Sequence, residues 1–377
     1  MKNIHVCLVS DQPIPNLTSV LQFKPDSVVL LTTDDMQEKA EALKGVLNKK
    51  GFRVDLRLIK AYDINDVISV SESLIDEFRG CKVTLNITGG TKIGTLGTFQ
   101  AFYTAGKEIF YVDTKDNKIL KLFPEKEQAD YPIKVSVPIA DYLSVYGFQI
   151  NSYVEDDSYI LKRKDFTKYL AYTVSYKPYL IPEINSALHG YDWKSALPIT
   201  VRLPKDDKLF NYLDLLEGVE KKDHGRIQIS QSDSLMYLKG FWFEEYVYME
   251  AKALVASNEI KLNVKGKWLT KGKNPPKNEF DVMFSKGNRL FLISCKTSNP
   301  DRKTEGDEEA VSKEYLYELV SLSDRALGLF GKRLLASARP INDPAVKKRA
   351  EILKVHIIDG KNILNLKKNL LQWIQKS

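Results

Sequence analysis

The chain of 377 residues is long enough for two domains, and its 43% hydrophobic and 28% charged residues are typical of a folded protein. This balance excludes a disordered chain, and no apolar run reaches the roughly 20 residues that a membrane span requires. The net charge of +7 permits a polyanionic partner without specifying one. The three cysteines lie far apart in apolar runs, and MKNIHVCLVSDQ does not have the pattern of a signal peptide. We therefore expect a cytoplasmic protein with no membrane partner.

Residues 1–140 alternate between β-rich runs and helical stretches. Strands are predicted at 4–10, 27–33, 53–59, 83–88 and 109–113, and helices at about 36–50, 64–79 and 91–105. Strands that are apolar along their length and separated by helices indicate a parallel sheet covered on both faces. The sequence therefore predicts an α/β first domain with a Rossmann-like parallel sheet.

Two strand ends in this domain carry residues suited to bind an anion, because ligands of open parallel sheets sit at the carboxyl ends of the strands. The residues that follow the first strand are Ser10, Asp11 and Gln12. The fourth strand and the turn after it contribute Asn86, Thr88, Gly89, Gly90, Thr91 and Lys92. The two glycines allow close approach to the backbone, while the following helix N-terminus and its lysine favour negative charge. We interpret these two loops as a phosphate-binding site.

Residues 141–234 lack a clear alternation and are predicted to form a connector module. From residue 235 to 377 a second pattern begins, with a helix at 238–254 and strands near 259–267, 279–285 and 289–295. A helix at 310–329, a strand at 332–338 and a final strand and helix follow. A helix, a strand meander and a crossover helix predict a second α/β domain that differs from the first.

Acidic and basic residues of this second domain follow one another in the order of a metal-dependent nuclease site. Hydrolysis of a phosphodiester with Mg²⁺ or Mn²⁺ requires carboxylates to hold the ion and a cation near the attacking water. Glu244 follows GFWF on the helix, Asp281 follows NEF on one strand, and Lys296 ends the next. Asp281, Ser294 and Lys296 share parity on strands joined by a tight turn at 286–288, so they can face one side of the sheet.

The motifs of both domains resemble those of the CRISPR-associated Card/Can nucleases. LVSDQPIPNL, PDSVVLLTT and LNITGGTKIGTLG resemble the CARF sensor domain, while GFWFEEYVY, NEFDV and CKT resemble the PD-(D/E)xK, restriction-endonuclease-like domain. The resemblance implies a homodimer that binds one cyclic oligoadenylate through the two loops, usually cyclic tetra-adenylate, with a six-membered ring as the alternative. It also implies that Glu244 and Asp281 hold a divalent metal and that Lys296 is the catalytic cation. The implied reaction is the cutting of single-stranded DNA or RNA in type III CRISPR antiviral defence.

Ser294 departs from this pattern, since the resemblance leads us to expect an acidic residue two positions before Lys296. A hydroxyl cannot replace the charge of a carboxylate, so metal affinity and rate should both fall. Three explanations stay open: the acid has moved to Glu279, on the strand face of Asp281; the domain is inactive; or the active form tolerates a weakened site. The resulting hypotheses are an activator-gated endonuclease with impaired activity and a catalytically silent nucleic-acid-binding protein that responds to the same ligand.

Basic residues near these motifs are candidates to hold a single strand. They are Lys271, Lys273, Lys277, Arg302 and Lys303. Any one of these residues alone is more typical of a solvated loop. The sequence also does not decide between a DNA and an RNA substrate.

Overall fold

The computed structural model describes residues 1–124, 130–256, 259–269, 275–302 and 311–376. Lys271, Lys273 and Lys303 lie outside these ranges. The helices are α1 (Ile14–Phe23), α2 (Gln37–Lys49), α3 (Ile64–Glu77), α4 (Lys92–Thr104), α5 (Ile139–Val145), α6 (Ser158–Lys162), α7 (Lys164–Tyr176), α8 (Leu180–Ala187), α9 (Asp207–Tyr212), α10 (Ser232–Met236), α11 (Trp242–Lys252), α12 (Val311–Leu327), α13 (Pro344–Ile352) and α14 (Leu366–Gln375). The strands are β1 (Asn3–Leu8), β2 (Ser27–Thr32), β3 (Arg53–Leu58), β4 (Lys82–Asn86), β5 (Glu108–Asp113), β6 (Lys118–Phe123), β7 (Asp130–Pro132), β8 (Phe148–Ser152), β9 (Ile199–Arg202), β10 (Val219–Lys221), β11 (Arg226–Ile229), β12 (Ile260–Trp268), β13 (Lys277–Lys286), β14 (Arg289–Lys296), β15 (Lys332–Ser337) and β16 (Val355–Asp359).

The first seven strands form one sheet in the order β3-β2-β1-β4-β5-β6-β7. Strands β1 to β5 run parallel, and β6 and β7 extend the sheet in antiparallel pairs. Side chains of β1 and β2 pack against α3 and α4 on one face and against α1 and α2 on the other. The predicted Rossmann-like parallel sheet is therefore confirmed. No helix was predicted between the first two strands, yet α1 begins at Ile14 between two prolines. A proline in the first helical turn lacks only an N–H that has no intrahelical partner.

The last six-stranded sheet has the order β16-β15-β14-β13-β12-β8. Strands β12, β13 and β14 form an antiparallel meander, while β14, β15 and β16 are parallel and joined through α12 and α13. Helix α11 packs on one face of the meander and α12 on the other. The predicted second α/β domain is confirmed. A separate three-stranded antiparallel sheet, β10-β11-β9, lies in the segment between the two domains.

Strand β8 comes from the segment predicted as a connector, yet it pairs with β12 at the edge of the C-terminal sheet. Its first residue, Phe148, is fully buried and makes T-shaped ring contacts with Trp268 at 5.1 Å and with Phe280 at 5.4 Å. The segment after the N-terminal sheet is thus part of the packing of the C-terminal domain.

One apolar cluster continues from the first domain into the second. It includes Leu17 of α1 and Leu43 of α2, runs through Tyr142 of α5, and reaches Leu292 of β14 and Leu327 of α12. We call this set the bridging cluster. Because this cluster is buried on both sides of the domain boundary, the N-terminal sheet and the β13–β14 hairpin share a core. Within the part of the chain that the structure describes, no helix combines the length and the apolar character that a bilayer span demands.

Candidate functional site

The loops after β1 and β4 lie side by side, and Asn86 joins them. Its side chain is fully buried; Nδ2 donates to Asn16 Oδ1 at 3.0 Å and to Ser19 Oγ at 3.1 Å, and Oδ1 accepts from the Thr88 N–H at 3.0 Å and from Thr88 Oγ1 at 2.6 Å. A side chain enclosed in this way offers no surface to a ligand in this arrangement. Asn86 holds α1 and the loop after β4 together, and its contact with a ligand stays a prediction.

The turn from Gly89 to Lys92 forms the N-terminal end of α4, as predicted. Thr91 caps the helix: its Oγ1 accepts from the Gly94 N–H at 3.0 Å and donates to the Ala61 carbonyl at 2.7 Å. A Cβ at Gly89 would lie 2.2 Å from the Leu8 carbonyl oxygen, so this position has no room for a side chain. Lys92 is exposed at the first position of the helix, where backbone N–H groups and the helix dipole favour an anion.

The loop after β1 contacts the C-terminal domain as well as its own sheet. Gln12 Oε1 accepts from the Leu329 N–H at 2.9 Å and from the Tyr146 hydroxyl at 3.3 Å, and Leu329 follows the C-terminal end of α12. Asp11 forms an ion pair with Lys39. Ser10 Oγ accepts from the Gln12 N–H at 3.3 Å, which closes the loop on itself.

A cavity of about 140 Å³ lies between these loops and the C-terminal domain. It is lined by the predicted residues Ser10, Gln12 and Thr88 and by Asp113, Thr114 and Leu329, which the sequence did not indicate. The order of parallel strands does indicate the end of β5, next to β4, as a further contributor. A volume of this size lies below the roughly 300 Å³ of a typical small-molecule pocket, so a larger ligand requires a second surface.

Helix α11 lies within the helix predicted at 238–254 and carries Glu244 in its first turn. Gly240 has a φ of +151°, and a Cβ there would lie 2.8 Å from Thr297 Oγ1, so glycine permits the helix start to pack against the residue after Lys296. Glu244, Asn263 and Glu245 all line one cavity of about 160 Å³, but the carboxylate of Glu245 is committed to a buried ion pair with Arg163. Of the two glutamates, Glu244 is therefore the one available to the site.

The β13–β14 hairpin brings Asp281, Ser294 and Lys296 together on the side of α12. Asp281 Oδ2 accepts from the Cys295 N–H at 2.7 Å and from Ser294 Oγ at 3.3 Å. Lys296 Nζ lies 3.0 Å from an oxygen of Glu318, a residue of α12 that the sequence analysis did not identify. The alternation of a strand predicts the shared face of the hairpin residues, but nothing in the local sequence indicates the partner on α12.

The two carboxylates of the motif resist ionisation in this setting. Burial raises the pKa of Asp281 to about 6, although the Cys295 N–H and Lys296 act in the opposite direction. Burial also raises the pKa of Glu244 well above its usual range, and the charges of Asp281 and Glu279 raise it further. Burial lowers the pKa of Lys296, but Asp281 and Glu318 outweigh this effect and the net pKa is raised. The ammonium of Lys296 balances only part of the negative charge of these carboxylates. A divalent cation would reduce the remaining repulsion between them.

The oxygen donors are of the kind that Mg²⁺ or Mn²⁺ prefers, but a complete ligand set is not assembled. Among the residues that the structure describes, no three His, Cys, Asp or Glu side chains are grouped so that they could hold a metal ion. Glu279 is occupied elsewhere, since its Oε1 accepts from Asn263 Nδ2 at 2.8 Å and lies 3.5 Å from Lys265 Nζ. Glu244 and Asp281 thus fit a hard cation in chemistry, and the third predicted ligand does not join them here.

Comparison with known proteins gives two family matches within the chain. Residues 4–142 match the model of the Card1 CARF domain, and residues 231–377 match that of the Card1-like endonuclease domain. The two matches leave out the segment that contains β8 to β11. No curated relative matches the sequence.

Solved structures share the fold over almost the whole chain. Protein VC1899 from Vibrio cholerae aligns with a TM-score of 0.85 at 22% identity, covering 99% of this chain and 98% of that one. Can2 from Sulfobacillus thermosulfidooxidans, solved with cyclic tetra-adenylate, aligns at 0.79 with 23% identity and 99% coverage of both chains. A type III CRISPR defence DNA nuclease activated by cyclic oligoadenylate aligns at 0.59 with 18% identity, covering 91% of this chain and 46% of that one. The segment left out by the family models is therefore shared in fold with these structures.

Proposed function

Because this chain belongs to the Card1-like family, with a Card1 CARF domain ahead of a Card1-like endonuclease domain, we propose that it is an endonuclease activated by a cyclic oligoadenylate. The sensor occupies residues 1–140, a connector residues 141–234 and the nuclease residues 235–377. The proposed substrate is single-stranded DNA or RNA, the cofactor Mg²⁺ or Mn²⁺, and the compartment the cytoplasm, in type III CRISPR antiviral defence.

The observation that supports this proposal is the placement of Asp281 and Lys296 in one cavity of the β13–β14 hairpin, with Glu244 of α11 near enough to feel the charge of Asp281. Asp281 is held by the Cys295 N–H, Lys296 faces the same side, and Glu244 is close enough for the charge of Asp281 to raise the pKa of its carboxyl. A bound divalent ion would polarise the scissile phosphate and activate a water. Asp281 and Glu244 would hold it, and the ammonium of Lys296 would stabilise negative charge on the phosphate.

Gating is supported by direct contacts between the sensor loops and the nuclease domain. Gln12 bonds to the backbone just after α12, and α12 carries the partner of Lys296. A ligand that binds the sensor can shift the nuclease only if it binds two arrangements of the protein with different affinity. Rearrangement of the Gln12 contacts offers such a difference without any contact between ligand and catalytic residues.

The proposed activator is cyclic tetra-adenylate, bound across the two-fold axis of a homodimer. Can2, which shares the fold, was solved in complex with this ligand, and the small cavity of a single chain supports a site that needs two copies. Ser10, Gln12 and the turn from Thr88 to Lys92 are the proposed contacts, with Asn86 holding them in place.

Calorimetry with cyclic tetra-adenylate is expected to give one ring per two chains. Lys92→Ala should weaken binding by about 1.5–3 kcal/mol, the usual size of a hydrogen bond to a charged group. Lys49→Ala removes an exposed lysine at the end of α2 and serves as the matched control. One ring per chain, or equal losses in both variants, would contradict the proposed site.

Cleavage of labelled single-stranded DNA and RNA tests the enzyme itself. We expect cleavage that needs both Mn²⁺ or Mg²⁺ and the activator, and that is lost in Lys296→Ala, because no other described cation occupies that side of the hairpin cavity. The serine at position 294 favours a second candidate, a catalytically silent protein that binds nucleic acid when it binds the ring. Activator-dependent binding of a labelled strand without cleavage under any metal condition would select that alternative.

A further inference from the structure

Glu318 is a carboxylate outside the sequence motif that lies against the lysine of the motif. Its Oε2 accepts from Lys296 Nζ at 3.0 Å, and the same ammonium lies 5.1 Å from the centre of the Tyr315 ring. The Lys296 side chain is 23% exposed and that of Glu318 is 53% exposed, so the ammonium lies in the enclosed part of the contact and the carboxylate at its open edge. Both partners come from α12, and together they fix where the ammonium can point.

Glu318 also shares a cavity with the rest of the hairpin site. A space of about 40 Å³ is lined by Asp281, Ser294, Lys296 and Glu318, and Leu319 of α12 closes its side. Glu318 therefore brings a negative charge to the part of the site where Ser294 supplies none.

The other acidic residue near this site is engaged away from the lysine. Glu279 also lines the hairpin cavity, but its Oε1 accepts from Asn263 Nδ2 and lies 3.5 Å from Lys265 Nζ of β12. Of the carboxylates that line the hairpin cavity, Glu318 makes the direct ion pair with Lys296. The geometry thus favours α12, rather than β13, as the source of the missing charge.

We propose that Glu318 takes the place of the acidic residue absent at position 294, as a positioning residue for Lys296 that also supplies negative charge for the metal. This inference rests on the proposed nuclease function. In this arrangement the acid comes from the helix that packs on the strand, instead of from the strand two residues before the lysine. The serine then has a structural role, since its hydroxyl donates to Asp281.

The test compares Glu318→Gln, Ser294→Glu and the double variant, each as the full chain. Glu318→Gln is expected to lower kcat at least ten-fold with less than a three-fold change in KM, and to weaken Mn²⁺ binding, measured by calorimetry without substrate, at least five-fold. Adding Ser294→Glu should restore both quantities to within about three-fold of the starting protein, because a carboxylate returns to the same cavity. Glu314→Gln, one turn earlier on α12 and exposed, is the matched control and should change neither.

Two outcomes separate this inference from the proposed function. If the unmodified chain cleaves nucleic acid and Glu318→Gln cleaves and binds Mn²⁺ equally well, the inference is overturned and the nuclease function stands. If no variant cleaves, but Mn²⁺ binding falls in Glu318→Gln and returns in the double variant, the role of Glu318 stands and the enzyme proposal fails. Should Glu318→Gln not fold, Ser294→Glu alone decides: a gain in kcat below three-fold supports Glu318 as the existing acid, and a gain above ten-fold overturns it.

Discussion

Replacing Asp281 with asparagine is expected to abolish cleavage and, at the same time, to make the metal-free protein more stable near neutral pH. Loss of a residue that only supports a metal ligand costs about 10–100-fold in activity or metal affinity, so loss of a proposed ligand should exceed the upper end of that range. Asparagine keeps an oxygen that can accept from the Cys295 N–H, the 2.7 Å contact that holds the aspartate. The hairpin is therefore expected to keep its geometry while the charge disappears.

The gain in stability follows from the direction in which burial moves the pKa. Burial raises the pKa of Asp281 from 3.8 to about 6, so between these values the folded chain binds a proton more tightly than the unfolded chain. Its contribution to the free energy of unfolding therefore falls as pH rises through this window. Above the window the cost is on the order of 2–3 kcal/mol, because a ten-fold change in proton affinity corresponds to about 1.36 kcal/mol. Removing the charge of Asp281 also makes Glu244 easier to ionise, because the charge of Asp281 raises the pKa of Glu244.

Urea unfolding in the presence of a chelator measures this effect. Asp281→Asn should unfold with a free energy on the order of 2 kcal/mol higher than the unmodified chain at pH 7.5, and the difference should shrink toward zero near pH 4. Asp35→Asn, which changes an exposed aspartate in the sensor domain, is the control and should show no such pH dependence. If Asp281→Asn is less stable than the unmodified chain at pH 7.5, other groups of the folded protein compensate the charge of Asp281.

Asn288→Ala is expected to produce the second large effect, a loss of stability together with a loss of activator control. Asn288 sits in the β13–β14 turn with a φ of +57° and is 4% exposed. Its Nδ2 donates to Asn117 Oδ1 at 3.0 Å and to the Val135 carbonyl at 2.9 Å, and its Oδ1 accepts from the Val137 N–H at 2.9 Å. These three hydrogen bonds therefore connect the β13–β14 turn to the sensor sheet and to the segment that follows this sheet.

Alanine removes all three hydrogen bonds and is itself disfavoured in the left-handed region. Each buried polar group left unpaired costs about 1–3 kcal/mol, and left-handed backbone costs alanine about 1 kcal/mol more than it costs glycine. We expect the free energy of unfolding to fall by about 3 kcal/mol or more, and the ratio of cleavage with and without activator to approach one.

Two further variants separate the loss of the hydrogen bonds from the cost of the left-handed backbone. Asn288→Gly keeps the backbone conformation but lacks the amide, so it should recover only the backbone part of the loss. Asn369→Ala removes a half-buried asparagine with a 2.9 Å bond to the Asn362 carbonyl and should cost less than about 1 kcal/mol. If Asn288→Gly matches the unmodified chain in stability and activator control, the three hydrogen bonds do not couple the domains.

The sequence predicts those parts of the fold in which the pattern of apolar residues along a strand or helix matches the burial of that strand or helix. All six residues of β2 are buried, and such uninterrupted apolar strands between helices are hard to interpret as anything but a covered parallel sheet. The shared face of Asp281, Ser294 and Lys296 was predictable for a similar reason, because the alternation of side chains along two paired strands brings them into one cavity. The sequence could not predict β8, since FQINS is short and mixed in polarity and becomes a strand through its pairing with β12.

The parts of the site that the sequence did not predict depend on contacts between distant elements. Nothing near Glu318 indicates that α12 will turn it toward Lys296, and the bond from the Leu329 N–H to Gln12 joins residues at opposite ends of the chain. Asn86 shows the opposite difficulty. Its residue type and its place at a strand end are those of a ligand contact, and only its complete burial reveals its structural role.

The bridging cluster limits how this protein can be divided or recombined. A nuclease fragment that begins at residue 235 would lose Phe148, which packs between Trp268 and Phe280, and would expose Leu292 and Leu327 where α5 and the sensor helices now cover them. Newly exposed apolar surface of this kind favours aggregation over independent folding. A chimera that takes its sensor from one relative and its nuclease from another therefore needs its junction after β8, with α5 and the cluster residues it touches chosen from a single parent.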